Sequence, residues 1–132
     1  MGVYQDERKD IESYLKTNFT TTAIKFDNAD FDQRNIVEFI DVFIRPGQKI
    51  ATTVGGSQIT YEARGQLVIS IFVKKGTGTD RVRKIADDLQ TLFLKKQIGS
   101  CTFESAELIN VGEVEEWYRN NLYLYYRWKK CI

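Results

Sequence analysis

Apolar positions along this chain follow two rhythms, a helical one and an alternating one, and the switches between them divide it into elements. Residues 4–17, YQDERKDIESYLKT, place Ile11, Tyr14 and Leu15 at helical spacing, with Tyr4 able to join the stripe at its start. Acidic residues crowd the beginning of this segment, where the helix dipole favours them, and Asn18 with the β-branched run after it ends the helix. A short strand is expected at 22–27, with Ile24 and Phe26 on one face. The turn-rich DNADFDQRN follows, with Asn28, Asp30, Asp32 and Asn35. Residues 35–45, NIVEFIDVFIR, form a strong strand. Val37, Phe39 and Phe43 share one face with Asp41, and Ile36, Ile40, Val42 and Ile44 share the other with Glu38. A strand apolar on both faces is central in a sheet or covered by an interface.

Pro46-Gly47 then makes a turn and leads into a long β-prone ribbon. Residues 48–54 and 57–64 flank Gly55-Gly56, which predicts a two-residue hairpin because both turn positions need positive φ. That turn sets Val54 opposite Ser57, Thr52 opposite Ile59 and Ile50 opposite Tyr61. Gly65 interrupts the second arm, where a bulge or sharp bend is expected. QLVISIFVK, 66–74, has the cleanest alternation: Leu67, Ile69, Ile71 and Val73 face the core, and Val68, Ser70, Phe72 and Lys74 face away.

A loop leads to a second helix at about 80–96, with Thr79 or Asp80 as N-cap. Its stripe is Val82, Ile85, Ala86, Leu89, Leu92 and Phe93, and Lys95 and Lys96 suit its C-terminal end. Residues 97–103 and 106–112 suggest two further strands. The final segment alternates Leu122, Leu124, Tyr126 and Trp128 with Tyr123, Tyr125, Arg127 and Lys129. The expected architecture is α+β, a single domain over residues 1–132. It has a mixed, mostly antiparallel sheet, two helices packed on one face, and a protruding β-hairpin at about 48–64.

Composition narrows the chemistry. The 132 residues carry 19 basic and 18 acidic side chains and no histidine. Without histidine, Ser–His and Cys–His nucleophile pairs are impossible, and the commonest general base and metal ligand is missing. Asp80, Asp87 and Asp88 are a weak carboxylate cluster, since Asp87 and Asp88 point about 100° apart on a helix. The Asp-rich loop lacks the glycine and terminal glutamate of a calcium loop. GTG at 76–78 lacks the rest of a phosphate cradle. Neither a catalytic residue nor a cofactor or metal is expected.

Tyr123, Tyr125, Arg127 and Lys129 could form a stacking platform for single-stranded nucleic acid, yet the near-even charge favours an amphipathic strand with snorkelling cations. Cys101 and Cys131 read as reduced, core-like residues. The charged start MGVYQDERKD lacks an apolar signal core, and no stretch is long and apolar enough to span a bilayer. The cytoplasm is therefore the expected place of synthesis, and no membrane partner is expected.

The run ARGQLVISIFVKKGTGTDRVRKIADDLQTLF resembles the tail terminator proteins of long-tailed bacteriophages. The core of the resemblance is carried by Arg64, Gly65, Leu67, Ile69, Ile71, Gly76, Gly78, Ile85, Ala86, Asp87, Leu89 and Phe93, and it extends over residues 4–112. The resemblance implies a non-enzymatic virion component that forms a hexameric ring. Such a ring caps the head-proximal end of the tail tube, stops tube polymerisation and offers a docking face to the head–tail connector. Its implied partners are further copies of itself, the tube protein and the connector or stopper protein. Its lumen passes the genome without sequence-specific contact. A head–tail joining role, as neck stopper or tail completion protein, fits the same motif.

In that setting the glycine-jointed ribbon reads as an assembly arm. Its expected contact residues are Ile50, Thr52, Thr53, Val54, Gly55, Gly56, Ser57, Gln58 and Ile59, with Arg64 and Gly65 at its base.

Overall fold

The computed structural model describes residues 3–26, 36–52, 59–76 and 79–131. The elements run α1 (Val3–Asn18), β1 (Ala23–Phe26), β2 (Glu38–Arg45), β3 (Ile50–Ala51), β4 (Thr60–Lys74), α2 (Asp80–Phe93), β5 (Gln97–Ile98), β6 (Cys101–Val114) and β7 (Trp117–Cys131). One sheet contains every described strand, in the order β1-β2-β4-β7-β6-β5, with β3 paired to β4 off that path. Among the described residues only β1 and β2 pair in parallel, and the other pairs are antiparallel. The sheet is therefore mixed and mostly antiparallel. Strand outweighs helix by far, so the molecule is largely a sheet rather than a balanced α+β arrangement.

Alternation along β4 and β7 builds the core. Leu67, Ile69, Ile71 and Val73 of β4 lie in one buried cluster with Leu122, Leu124, Tyr126 and Trp128 of β7, and Ile40 and Val42 of β2 join them. Ile11 and Leu15 of α1 enter the same cluster, as do Val82, Ile85, Leu89 and Phe93 of α2. The helices also touch each other: the Tyr14 hydroxyl donates to the Leu92 carbonyl at 2.6 Å, and the Tyr14 and Phe93 rings meet edge-on at 5.3 Å. The Arg81 guanidinium holds both oxygens of Glu38 at 2.7 Å, tying the start of α2 to the start of β2. That forked contact keeps the Glu38 carboxyl below its ordinary pKa.

The opposite sheet face carries a second, smaller packing unit. Phe39 and Phe72 stack at 4.6 Å, and Trp117 meets Phe39 edge-on at 5.1 Å. Beside them the Arg119 guanidinium lies 5.3 Å from the Phe72 ring and donates to Ser70 and Asn121, each at 3.1 Å. Strand β2 lies inside the sheet between β1 and β4, but its second face is covered only at Phe39: Asp41 and Phe43 are half-buried and Val37, just before the strand, is 68% exposed.

Several expectations need correction. The two strands expected at 97–103 and 106–112 are a two-residue β5 and one long β6, which runs through bulges at Phe103/Ser105 and Asn110/Gly112. The bulges absorb residues that break alternation. Helix α2 ends at Phe93, short of Lys95 and Lys96, because Leu94 is extended and Lys95 takes a left-handed φ of 63°. Thr79 is its N-cap, without a side-chain capping hydrogen bond. Cys101 is fully buried, whereas Cys131 is exposed at the end of β7. Tyr4 is 55% exposed and does not extend the buried stripe.

Candidate functional site: the arm and its anchor

The β3–β4 ribbon is where the sequence placed its candidate residues, and its described parts are the lower arms. Ile50 pairs with Glu62 and Ala51 with Tyr61, and the Thr52 amide donates to the Thr60 carbonyl at 2.8 Å. This pairing is displaced by one residue from the register that a two-residue Gly55-Gly56 turn demands, in which Ile50 faces Tyr61. Because side chains alternate with period two, the displacement changes which residues of the two arms share a face. Thr53, Val54, Gly55, Gly56, Ser57 and Gln58 lie outside the described residues, as do the Asp-rich loop residues Asn28, Asp30, Asp32 and Asn35.

Among the described candidates, Ile50 is 54% exposed, Ile59 is 37% exposed, and Thr52 is exposed. Both isoleucines are apolar side chains left in solvent on the ribbon. Arg64 points outward beside Glu104 at 3.6 Å. An open cleft of about 450 Å³ lies at the base of the arm, between Gln48, Ile50 and Thr52 on one side and Glu62, Arg64 and Arg127 on the other.

Gly65 does not act as expected. Strand β4 runs unbroken through it, paired with β7 from Thr60–Cys131 to Lys74–Trp117 without a register shift. Its missing side chain instead makes room across the ladder: a Cβ there would lie 2.5 Å from Cζ and Oη of Tyr126. The phenol ring of Tyr126 occupies that space and reaches inward.

What the ring reaches is the anchor of the arm, and the sequence did not announce it. Glu7 of α1 is buried and accepts from two groups, the Tyr126 hydroxyl and Lys49 Nζ, the latter at 2.6 Å. Lys49 sits immediately before β3. Its ammonium also donates to the Pro46 carbonyl at 3.3 Å and lies 4.5 Å from the Trp128 ring and 4.8 Å from the Tyr4 ring. The turn before it explains how Lys49 points inward: Gly47 has φ +71°, and a Cβ there would meet the Arg64 carbonyl at 2.1 Å. Only glycine allows both that φ and that approach. One signal was legible: Glu7, Ile11 and Leu15 recur every four residues, so a carboxylate heads the buried helical stripe.

The electrostatics of the anchor suit structure and not catalysis. Burial, then the hydrogen bond to Glu7 and its charge, push the Tyr126 phenol well above its ordinary pKa. Burial, then the Glu7 charge, push the neighbouring Cys101 thiol up to about 12. Both groups stay protonated at neutral pH and neither is primed as a nucleophile.

A folded-state pKa above the unfolded value means stability that is present at lower pH and lost as pH rises. Raising the pH from about 8 to about 10 is therefore expected to lower the urea midpoint, and Cys101 contributes about 1 kcal/mol per pH unit once its unfolded thiol ionises. Cys101→Ala should shrink that alkaline loss. An unchanged slope would show that the thiol does not carry it.

The aromatic-basic strip of β7 is neutralised where it stands. Tyr123, Tyr125, Arg127 and Lys129 do share one face, but Arg127 lies 3.4 Å from Glu104, Lys129 lies 3.8 Å from Glu62, and the Tyr125 hydroxyl donates to Glu107 at 3.2 Å. Cations already facing carboxylates make a poor phosphate track. Asp88 pairs with Lys84 at 3.8 Å, and Asp87 is exposed. Among the described residues no group of three histidine, cysteine or acidic side chains could hold a metal ion, and no helix is long and apolar enough to cross a membrane.

The geometry is that of a sheet scaffold that fixes the base of an arm. The chain belongs to the phage tail terminator family, whose model, the phage tail terminator protein, matches residues 8–117. It is thus a structural protein of the phage tail, in a family without enzymatic activity, and a virion component. A solved structure named only by a sequence identifier is similar over 96% of each chain, with a TM-score of 0.65 and 16% identity, a likeness that speaks to the fold alone. No curated protein matches the chain.

Proposed function

We propose that this protein ends tail-tube growth. It assembles in the host cytoplasm as a hexameric ring, seats on the head-proximal end of the tube, and presents its other face to the head–tail connector. The observation that carries this reading is the family match over residues 8–117. The arm supports it. The described lower arms, residues 48–52 and 59–64, are held at the base by Lys49 and leave the apolar side chains of Ile50 and Ile59 exposed for a neighbour. A rotationally repeated contact closes into a ring only when its angle fits, so a rigid base matters to closure.

The test is to add the purified protein to polymerising tube subunits and measure tube length by negative-stain electron microscopy. Tubes are expected to stop short and to carry a ring at one end. Unchanged tube growth, with the protein binding the connector instead, would assign it to head–tail joining.

A further inference from the structure

Strand β6 is built like a strand awaiting a neighbour. Its inner side pairs with β7 from Cys101 to Val114. On its outer side, β5 covers only Cys101 and Thr102, and Lys95 and Lys96 take the backbone groups of Phe103. Among the described residues no strand pairs with the remainder, although it carries the exposed apolar residues Leu108, Ile109, Val111 and Val114. An open edge with apolar side chains is a template for strand addition. The two bulges of β6 limit it, leaving a regular span of six residues, Ser105–Asn110.

Among the described residues the other end of the sheet is also unpaired: β1, four residues long, ends the strand order. Both edges belong to one chain, and joining them between copies removes both at once. The topology fixes the sense of that junction. Strand β1 is parallel to β2, and every step from β2 through β4 and β7 to β6 is antiparallel. A sheet continued from β6 of one copy into β1 of the next, with the core faces of both copies on the same side, is therefore antiparallel.

Side-chain faces then select a register. On β6, Ala106 and Leu108 share the core face with Leu124 and Leu122, and Glu107 and Ile109 lie on the other face. On β1, Ile24 and Phe26 share the core face with Ile40 and Val42, and Ala23 and Lys25 lie on the other. In one antiparallel alignment every pair matches: Phe26 with Ala106, Ile24 with Leu108, Ala23 with Ile109, and Lys25 with Glu107. The charges are complementary. Residues 104–116 carry five glutamates and no basic residue, and residues 19–26 carry Lys25 and no acidic residue. Lys25 already lies 3.5 Å from Asp41 of its own chain, with both side chains about one-third exposed, so Glu107 would join that pair as a second carboxylate. A β6–β6 junction would instead bring two acidic edges together.

We infer that the seam between adjacent copies is this edge junction, the Ser105–Asn110 span of β6 pairing antiparallel with β1 of the next copy, with Lys25 against Glu107. The inference rests on the ring reading above and names the surface that closes the ring.

Cysteine cross-linking tests it in a Cys131→Ser background, since Cys101 is buried. Ala23→Cys combined with Ile109→Cys should form disulfides between copies, giving a ladder on non-reducing gels that ends at the mass of the ring. The yield should be roughly tenfold above that of the offset pair Ala23→Cys with Val111→Cys, because disulfide geometry tolerates little displacement. Ile24→Cys with Leu108→Cys repeats the test on the other face if the first variant folds poorly.

The native mass of the unmodified protein is measured in parallel. A ring without a ladder overturns the seam and leaves the ring reading standing. Dimers from Ile109→Cys alone overturn it in favour of β6–β6 pairing. A monomer at every concentration, with no ladder, overturns both.

Discussion

Lys49→Met is expected to destabilise the fold by about 3–5 kcal/mol, since removing one partner of a buried ion pair leaves the other charge without compensation. Glu7 and Lys49 qualify: their side chains are 1% and 8% exposed and their charged atoms are 2.6 Å apart. Methionine keeps the length and the apolar stem against Trp128, so the loss reports charge and not volume. The Tyr126 hydroxyl still donates to Glu7 but cannot neutralise it. Adding Glu7→Gln to Lys49→Met should recover a large part of the loss, because a neutral amide no longer needs a cation. Urea unfolding of the two single variants and the double variant measures the coupling. If Lys49→Met leaves the midpoint unchanged, the anchor contributes nothing and the base of the arm is held by other contacts. The functional consequence is distinct: the double variant should fold yet hold residues 48–52 less firmly, which amide hydrogen exchange at Ile50–Thr52 would detect.

Gly65→Val is the second large effect, a loss of about 3 kcal/mol, at the upper end of what overpacking a filled core does. The first added carbon would already sit 2.5 Å from the Tyr126 ring. The ring cannot retreat freely, because its hydroxyl is tied to Glu7 and its body packs against Phe103 at 5.1 Å. In a Tyr126→Leu background, itself less stable, the valine should lose most of its effect. A thermal melt of this double-mutant cycle decides whether Gly65 serves the ring. A full loss persisting without the ring would instead assign the glycine to the backbone of β4.

The two effects locate the limit of what could be read from the chain. The faces of β4 and β7 were legible because alternation is local: each side chain is placed relative to its neighbours two residues away, whatever the strand pairs with. Leu67, Ile69, Ile71 and Val73 and their counterparts Leu122, Leu124, Tyr126 and Trp128 lie on the buried face that the pattern assigned. The helical stripe of α2 was legible for the same reason. Gly65 was misjudged because its cause is 61 positions further along, in a ring that the ladder brings opposite. The hairpin register was misjudged by one residue because Gly55-Gly56 suggested a two-residue turn, whereas the described pairs are Ile50 with Glu62 and Ala51 with Tyr61.

From its sequence alone, this protein's strand and helix faces and the lack of histidine chemistry were determined, and its family was suggested by residues 64–93, since these depend on residue identity and short-range spacing. The strand order, the burial of Glu7 against Lys49 across 42 positions, and the two edges at β1 and β6 left unpaired among the described residues were decided only by the tertiary structure. Long-range pairing depends on which surfaces meet after collapse, and many pairings satisfy the same local pattern.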